Sequence, residues 1–214
     1  VEGHDACRKI AILTSLISGQ HVDFEKIHTE GITKITTEDM KYAKKLNMAI
    51  KLLASSKRVG DTFSVLVAPM LLSEEHPLCN VNDVFNAVFV RGNMLGDAMF
   101  YGSGAGKLPT ASAVVADVVD AAKHLHRNVV TRWDAGELEL IPNAEAEHRF
   151  FVRVQGRSEA QKEQIREAFC SVEIVETEGL EDEFGFITEV MTEGTYSKKA
   201  EAFPEIIHMI RLAD

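Results

Sequence analysis

Apolar and polar positions alternate along this chain in two distinct rhythms. Between residues 5 and 18 the apolar side chains wrap much of a helical circumference, and the run stops at Gly19, a residue suited to the left-handed turn that ends many helices. This pattern predicts an opening helix that is buried rather than lying on a surface. Thr36-Thr37-Glu38-Asp39 places a hydroxyl ahead of two acids, the signature of a helix start, and Met40, Ala43 and Leu46 follow at helical spacing. From residue 50 to 72 the rhythm becomes strand-like. Residues 50–54 and 63–68 are apolar runs on either side of Lys57-Arg58-Val59-Gly60-Asp61, which has turn chemistry. Residues 85–91 and 95–101 read as two more strands. Residues 109–126 read as a long helix with Pro109 in its first turn, where a missing N–H does no harm. The expected class is α+β, with a mostly antiparallel sheet carrying helices on one face.

Residues 128–146 are mixed in character, contain Pro142, and close on Asn143-Ala144-Glu145-Ala146-Glu147; they are expected to form a linker. Phe150-Phe151-Val152-Arg153-Val154 then opens a strand-rich section. Ser158-Glu159-Ala160-Gln161 starts a helix running to Phe169. Strands at 172–176 and 184–191, a short helix at 196–202 and a closing strand at 206–212 complete it. The order β-α-β-β-α-β across 147–214 is the ferredoxin-like pattern.

The length of 214 residues allows one large domain or two smaller ones, each with a core. A net charge of −10 leaves no basic stripe to neutralise phosphates, which argues against nucleic acid and anionic membranes as partners. No run approaches the ~18 apolar residues of a membrane span, and no signal peptide is visible. Cys7, Cys79 and Cys170 are odd in number and lack metal-ligand spacing, so reduced thiols in a cytoplasmic protein and no metal site are expected.

The candidate chemistry begins with Val1-Glu2-Gly3-His4-Asp5-Ala6-Cys7-Arg8-Lys9. Asp5 and Lys9 stand at i and i+4, so a helix turns both to the same side. An ion pair on an exposed helix face explains this spacing. The apolar run beside them instead suggests partial burial, where a charge needs a partner and a desolvated lysine becomes able to exchange protons. Gly102-Ser103-Gly104-Ala105-Gly106, between a strand and a helix, is either a tight turn or a place where backbone meets a ligand. Its spacing is neither that of a phosphate-cradling loop nor the full dinucleotide fingerprint. His76 could serve as a base or a ligand but fits a structural loop histidine better. Trp133 reads as core or interface filler, and the acidic run 178–183 as a solvated turn.

Taken together, these blocks resemble the homoserine dehydrogenase family. The opening nine residues match its signature, Asp/Val-x-Gly-x-Asp-x-x-x-Lys. His76-Pro77-Leu78, Phe85-Asn86-Ala87-Val88-Phe89-Val90 and the block from Phe100 through Gly106 to Asp117 also look like that family. The resemblance implies an enzyme interconverting aspartate 4-semialdehyde and homoserine with NADP or NAD, in the biosynthesis of threonine, methionine and isoleucine. It implies that Lys9 is the catalytic proton carrier, that Asp5 holds the small-molecule substrate, and that Gly106 touches the cofactor.

The family's nucleotide-binding domain, a second lysine, a substrate-binding glutamate and a monovalent-cation site are expected upstream of residue 1. The chain is accordingly expected to be the carboxy-terminal part of a longer enzyme and inactive alone. The family helix after the glycine loop packs on the nucleotide domain, so an exposed apolar face is expected on residues 110–125. The section 147–214 resembles an ACT domain, with Gly156-Arg157-Ser158-Glu159 where that module has Asp-x-Pro-Gly. The expected organisation is a substrate domain at 1–127, a linker at 128–146 and an ACT-like regulatory domain at 147–214. An amino-acid effector such as threonine and a homodimer or tetramer belong to this reading. The alternative is a regulatory and dimerisation module that senses amino acids without catalysis of its own.

Overall fold

A computed structural model describes residues 1–128, 130 and 133–213. Its elements in chain order are α1 (His4–Ser18), β1 (His28–Thr29), α2 (Thr37–Lys45), β2 (Met48–Val59), β3 (Thr62–Ser73), β4 (Phe85–Gly92), β5 (Gly96–Ser103) and α3 (Lys107–Lys123). They continue as β6 (Glu147–His148), β7 (Phe150–Gln155), α4 (Glu159–Phe169), β8 (Val172–Val175), β9 (Glu183–Thr188), β10 (Met191–Thr192), α5 (Glu193–Ala200) and β11 (Ile206–Leu212). The α+β class is as expected. The chain divides into two compact units, residues 1–73 with 133–214, and residues 74–132.

The first unit is built on a seven-stranded sheet in the order β1-β3-β11-β7-β9-β8, with β2 paired to β3 on its other edge. β2 and β3 form an unbroken antiparallel hairpin from Met48↔Ser73 to Val59↔Thr62, closed by Gly60 at φ +62°. β1 and β11 both run parallel to β3, one at Leu66 and Val67, the other at Met70 and Leu71. Along β11-β7-β9-β8 each neighbouring pair is antiparallel. Their order is the one a ferredoxin-like chain makes, with its first strand between the last and the third.

The parallel joint between β3 and β11 makes one sheet from strands near both ends of the chain. The compact units are therefore drawn differently from the expected sections 1–127, 128–146 and 147–214. The expected linker also changes character. Residues 129, 131 and 132 lie outside the described residues, and 133–146 are bonded into the first unit. The Asp134, Leu138 and Ile141 amides donate to the carbonyls of Gly19, His21 and Phe63 at 2.7, 2.8 and 2.9 Å, and Leu138 is buried.

Both faces of the sheet are covered. α1 packs Cys7, Ile10 and Ala11 on Phe63, Val65 and Val67, while α2 packs Tyr42 and Ala43 on Leu71, Phe151 and Ile210. On the other face α4 and α5 bring Ile165, Phe169 and Tyr196 against Phe150, Val152 and Phe186. Helices on one face, expected of the section before the ferredoxin-like one, is what α1 and α2 show. Covering on both sides explains why β7 is buried from Phe150 to Val154. α1 differs from its expectation, because Ile12, Leu16 and Ile17 remain exposed while Cys7, Ile10, Ala11, Thr14 and Ser15 are buried. It is a half-buried helix that ends, as expected, at Gly19 with φ +74°.

The second unit holds the antiparallel ribbon β4–β5, paired from Phe85↔Ser103 to Gly92↔Gly96, and the helix α3. None of its described residues is buried. Phe100 and Tyr101 on the ribbon, and Val114, Val115, Val118 and Val119 on α3, are exposed, which matches the apolar face expected on residues 110–125. Among the described residues no helix is long and apolar enough to cross a membrane, and no group of three or more His, Cys, Asp or Glu side chains could hold a metal ion. The three cysteines are free thiols.

Candidate active site

The segment before α1 takes its course from two glycines. Gly3 caps the helix at φ +82°, where a Cβ would come 3.0 Å from Thr29 Cγ2, so conformation and space both favour glycine. Gly31 lies so close to the opening residues that a Cβ there would meet the Val1 carbonyl oxygen at 2.6 Å and Glu2 Cα at 2.7 Å. The Ile32 amide donates to the Val1 carbonyl at 3.0 Å, and the Glu30 amide donates to that of Val67 on β3 at 2.7 Å. The chain entering α1 is thus laid along residues 29–32, and these along β3.

α1 has no side-chain cap at its first turn, where Asp5 sits. Lys9 Nζ lies 2.7 Å from Asp5 Oδ2, and the two side chains are 65% and 83% exposed. The expected partial burial of this pair is not observed. The apolar residues beside it turn inward through Cys7, Ile10 and Ala11, leaving Asp5 and Lys9 on the open side of the helix. A carboxylate and an ammonium one turn apart at a helix N-terminus can engage a zwitterion and exchange a proton with it. Two clefts flank the segment. One, of about 210 Å³, is bordered by Glu2, Glu30, Lys34, Pro69 and His208. The other, of about 370 Å³, is bordered by His4, Cys7, Arg8 and Phe24.

Two buried arginines, absent from the candidates read in the sequence, tie the surroundings together. Arg211 on β11 is 2% exposed and grips two carboxylates. Its Nη1 and Nη2 donate to Glu30 at 3.0 and 2.9 Å, while Nε and Nη2 donate to Glu193. His28 Nε2 lies 2.5 Å from Glu30 Oε1. Burial raises the Glu30 pKa, but the hydrogen bonds from His28 and Arg211 outweigh it and hold the carboxyl at about 2. Arg153 on β7 forms a bidentate pair with Glu183 at 3.0 and 2.8 Å and donates to Asp39 Oδ1 at 2.8 Å and Thr36 Oγ1 at 2.9 Å. Asp39 also accepts from the Thr36 amide, completing the capping box of α2, and lies 3.0 Å from His208 Nδ1. Burial would push its carboxyl up; the hydrogen bonds from His208, Arg153 and Thr36 bring it down to about 2.

Gly106 belongs to the second unit. It has φ +118° and heads α3, which also lacks a side-chain cap. Two residues earlier, a Cβ on Gly104 would fall 1.5 Å from Asn86 Nδ2, so the loop lies against the Asn86 side chain, which would have to turn aside for any larger residue there. His76 acts as a structural residue. Its Nδ1 accepts the Leu78 amide at 3.1 Å and its ring meets Phe89 edge-on at 4.8 Å. Burial, with the Arg91 charge nearby, lowers its pKa.

With this geometry in view, the sequence profile of the homoserine dehydrogenase family matches residues 1–119. The chain belongs to the homoserine dehydrogenase family. The homoserine dehydrogenase of Neisseria gonorrhoeae is 37% identical over 167 residues, covering 74% of this chain and 38% of that protein. That of Mycobacterium bovis is 34% identical over 226 residues, covering 96% of this chain and 51% of that protein. A crystal structure of a homoserine dehydrogenase from Thiobacillus denitrificans superposes with a TM-score of 0.84 at 31% identity, over all of this chain and 54% of that one. The chain therefore spans between about two fifths and half the length of these homoserine dehydrogenases. The family match takes in Asp5, Lys9 and Gly106.

Proposed function

We propose that the protein is an NAD(P)-dependent homoserine dehydrogenase, interconverting aspartate 4-semialdehyde and homoserine in the cytoplasmic biosynthesis of threonine, methionine and isoleucine. One observation carries this reading: the family signature falls on an uncapped helix start that presents Asp5 and Lys9 together on its open side. Asp5 takes the ammonium of the amino-acid substrate. Lys9 gives its proton to the aldehyde oxygen in the reducing direction and takes it from the hydroxyl in the other. A protonated lysine suffices for reduction.

When bound, the nicotinamide supplies the hydride in one direction and accepts it in the other. The residues present fit one edge of such a cofactor. Glycine backbone at 102–106 is open to close approach, and the uncapped start of α3 suits an anionic group. Gly106 would make that contact. The remaining contacts are assigned to residues outside these 214, so the isolated chain is expected to lack dehydrogenase activity. Residues 147–214 are proposed as an ACT-like regulatory section that responds to an amino acid such as threonine, in a dimer or tetramer. The ferredoxin-like strand order supports this.

Asp5→Asn in the full-length protein tests the substrate role. It keeps the size of the side chain and loses the charge that meets an ammonium. The KM for homoserine is expected to rise about tenfold or more while that for the nicotinamide stays unchanged, since a charged hydrogen bond contributes about 1.5–3 kcal/mol. An unaltered homoserine KM would remove Asp5 from the site.

A further inference from the structure

We propose that Glu30, held by Arg211, is a positioning residue for the Asp5–Lys9 motif, an inference that rests on the functional reading above. Glu30 is fixed from two directions. Its amide is hydrogen-bonded to Val67 on β3, and its carboxylate is gripped by Arg211 on β11 through two donors at 2.9 and 3.0 Å. The neighbours of Glu30 form the bed on which the motif enters its helix. Thr29 abuts Gly3, Gly31 abuts Val1 and Glu2, and Ile32 is hydrogen-bonded to Val1.

The packing at Gly3 and Gly31 leaves no slack, so a displacement of residues 29–31 moves residues 1–3, and with them the first turn of α1. Asp5 lies in that turn and Lys9 one turn beyond. The guanidinium is itself set by Glu193 of α5, which shares its donors. The closing strand and last helix of the ferredoxin-like section are in this way connected to the catalytic motif through a single buried fork. Glu30 is ionised throughout the working pH range, with its carboxyl held at about 2, so it has no proton to trade near neutrality. It acts on the reaction through geometry alone.

The charge count at Arg211 selects the variant. Glu30→Gln leaves Arg211 paired with Glu193, a balanced couple, so the fold is retained; removing Arg211 would leave Glu193 buried without a counter-charge. Glu30→Gln is made in the full-length protein and compared with Lys9→Ala and with Arg211→Lys, which keeps the charge but cannot fork onto both carboxylates. Folded protein is quantified by circular dichroism, and steady-state constants are referred to that amount. Displacing a bound reactant by about 1 Å can cost about 100-fold in rate. Glu30→Gln and Arg211→Lys are expected to raise the homoserine KM and lower kcat/KM by about tenfold or more, with the nicotinamide KM and the shape of the pH profile unchanged. A purely structural residue would reduce the folded fraction and leave the homoserine KM of the remainder as it was. An unchanged homoserine KM in either folded variant, with Lys9→Ala inactive, overturns the positioning role alone. Turnover retained in Lys9→Ala overturns the functional reading and this proposal with it.

Discussion

Lys9→Ala in the full-length protein is expected to lower kcat for homoserine by about 10²–10⁴-fold, the usual contribution of a positioned proton carrier. The exposure of the residue makes this a clean experiment. Its partner in the folded chain is Asp5 at 2.7 Å on an open helix face, and an exposed i,i+4 pair contributes about 0.3–0.5 kcal/mol. The thermal transition is therefore expected to stay within a degree or two of the parent while turnover collapses. Lys9→Arg would keep the ion pair and the positive charge but cannot give up its proton, so it is expected to be as inactive as the alanine variant. A stable Lys9→Ala protein with full turnover would show that the pair is only a surface ion pair.

Arg153→Ala is the opposite case, with a large effect on stability. Arg153 is buried, as are its partners Asp39 and Glu183, and it offers Glu183 a bidentate guanidinium. Its removal takes the guanidinium away from the buried carboxylates of both Glu183 and Asp39, the latter keeping His208 and the Thr36 amide, which costs about 3–5 kcal/mol. At about 2–4 °C per kcal/mol for a chain of this size, the melting temperature is expected to fall by roughly 6–20 °C. Replacing Arg153, Asp39 and Glu183 together by Met, Asn and Gln removes the buried charges as well, and is expected to recover most of the loss. If Arg153→Ala melted with the parent, the fork would contribute nothing to the join between α2 and the ferredoxin-like section.

What could be read in the sequence was local. The helix start at Thr36–Asp39 with its hydroxyl cap, the Gly19 stop, the turn at Gly60 and the β-α-β-β-α-β order each depend on neighbours in the chain, and each is found in the structure. The placing of Asp5 and Lys9 on one side of a helix was also legible, because i,i+4 spacing decides it. Their exposure was not. Apolar residues around most of α1 pointed to burial, yet Ile12, Leu16 and Ile17 lie outward with the motif. The union of both chain ends in one sheet escaped for a different reason. β3 and β11 meet in parallel through Met70↔Arg211 and Leu71↔Leu212, partners separated by most of the sequence.

The same distance hid the arginines. Arg153 and Asp39 are 114 residues apart, and Arg211 and Glu30 are 181 apart. A signal was nevertheless present. Arg153 interrupts Phe-Phe-Val-Arg-Val and Arg211 interrupts Met-Ile-Arg-Leu, and a lone cation inside an apolar strand run must find buried counter-charges.

Supplying homoserine and NADP or NAD to the full-length protein, and following the absorbance of the reduced nicotinamide, tests the proposed dehydrogenase activity itself. Steady formation of the reduced cofactor with homoserine is the expected result. No reduction with either nicotinamide at saturating homoserine, from folded protein, would contradict it.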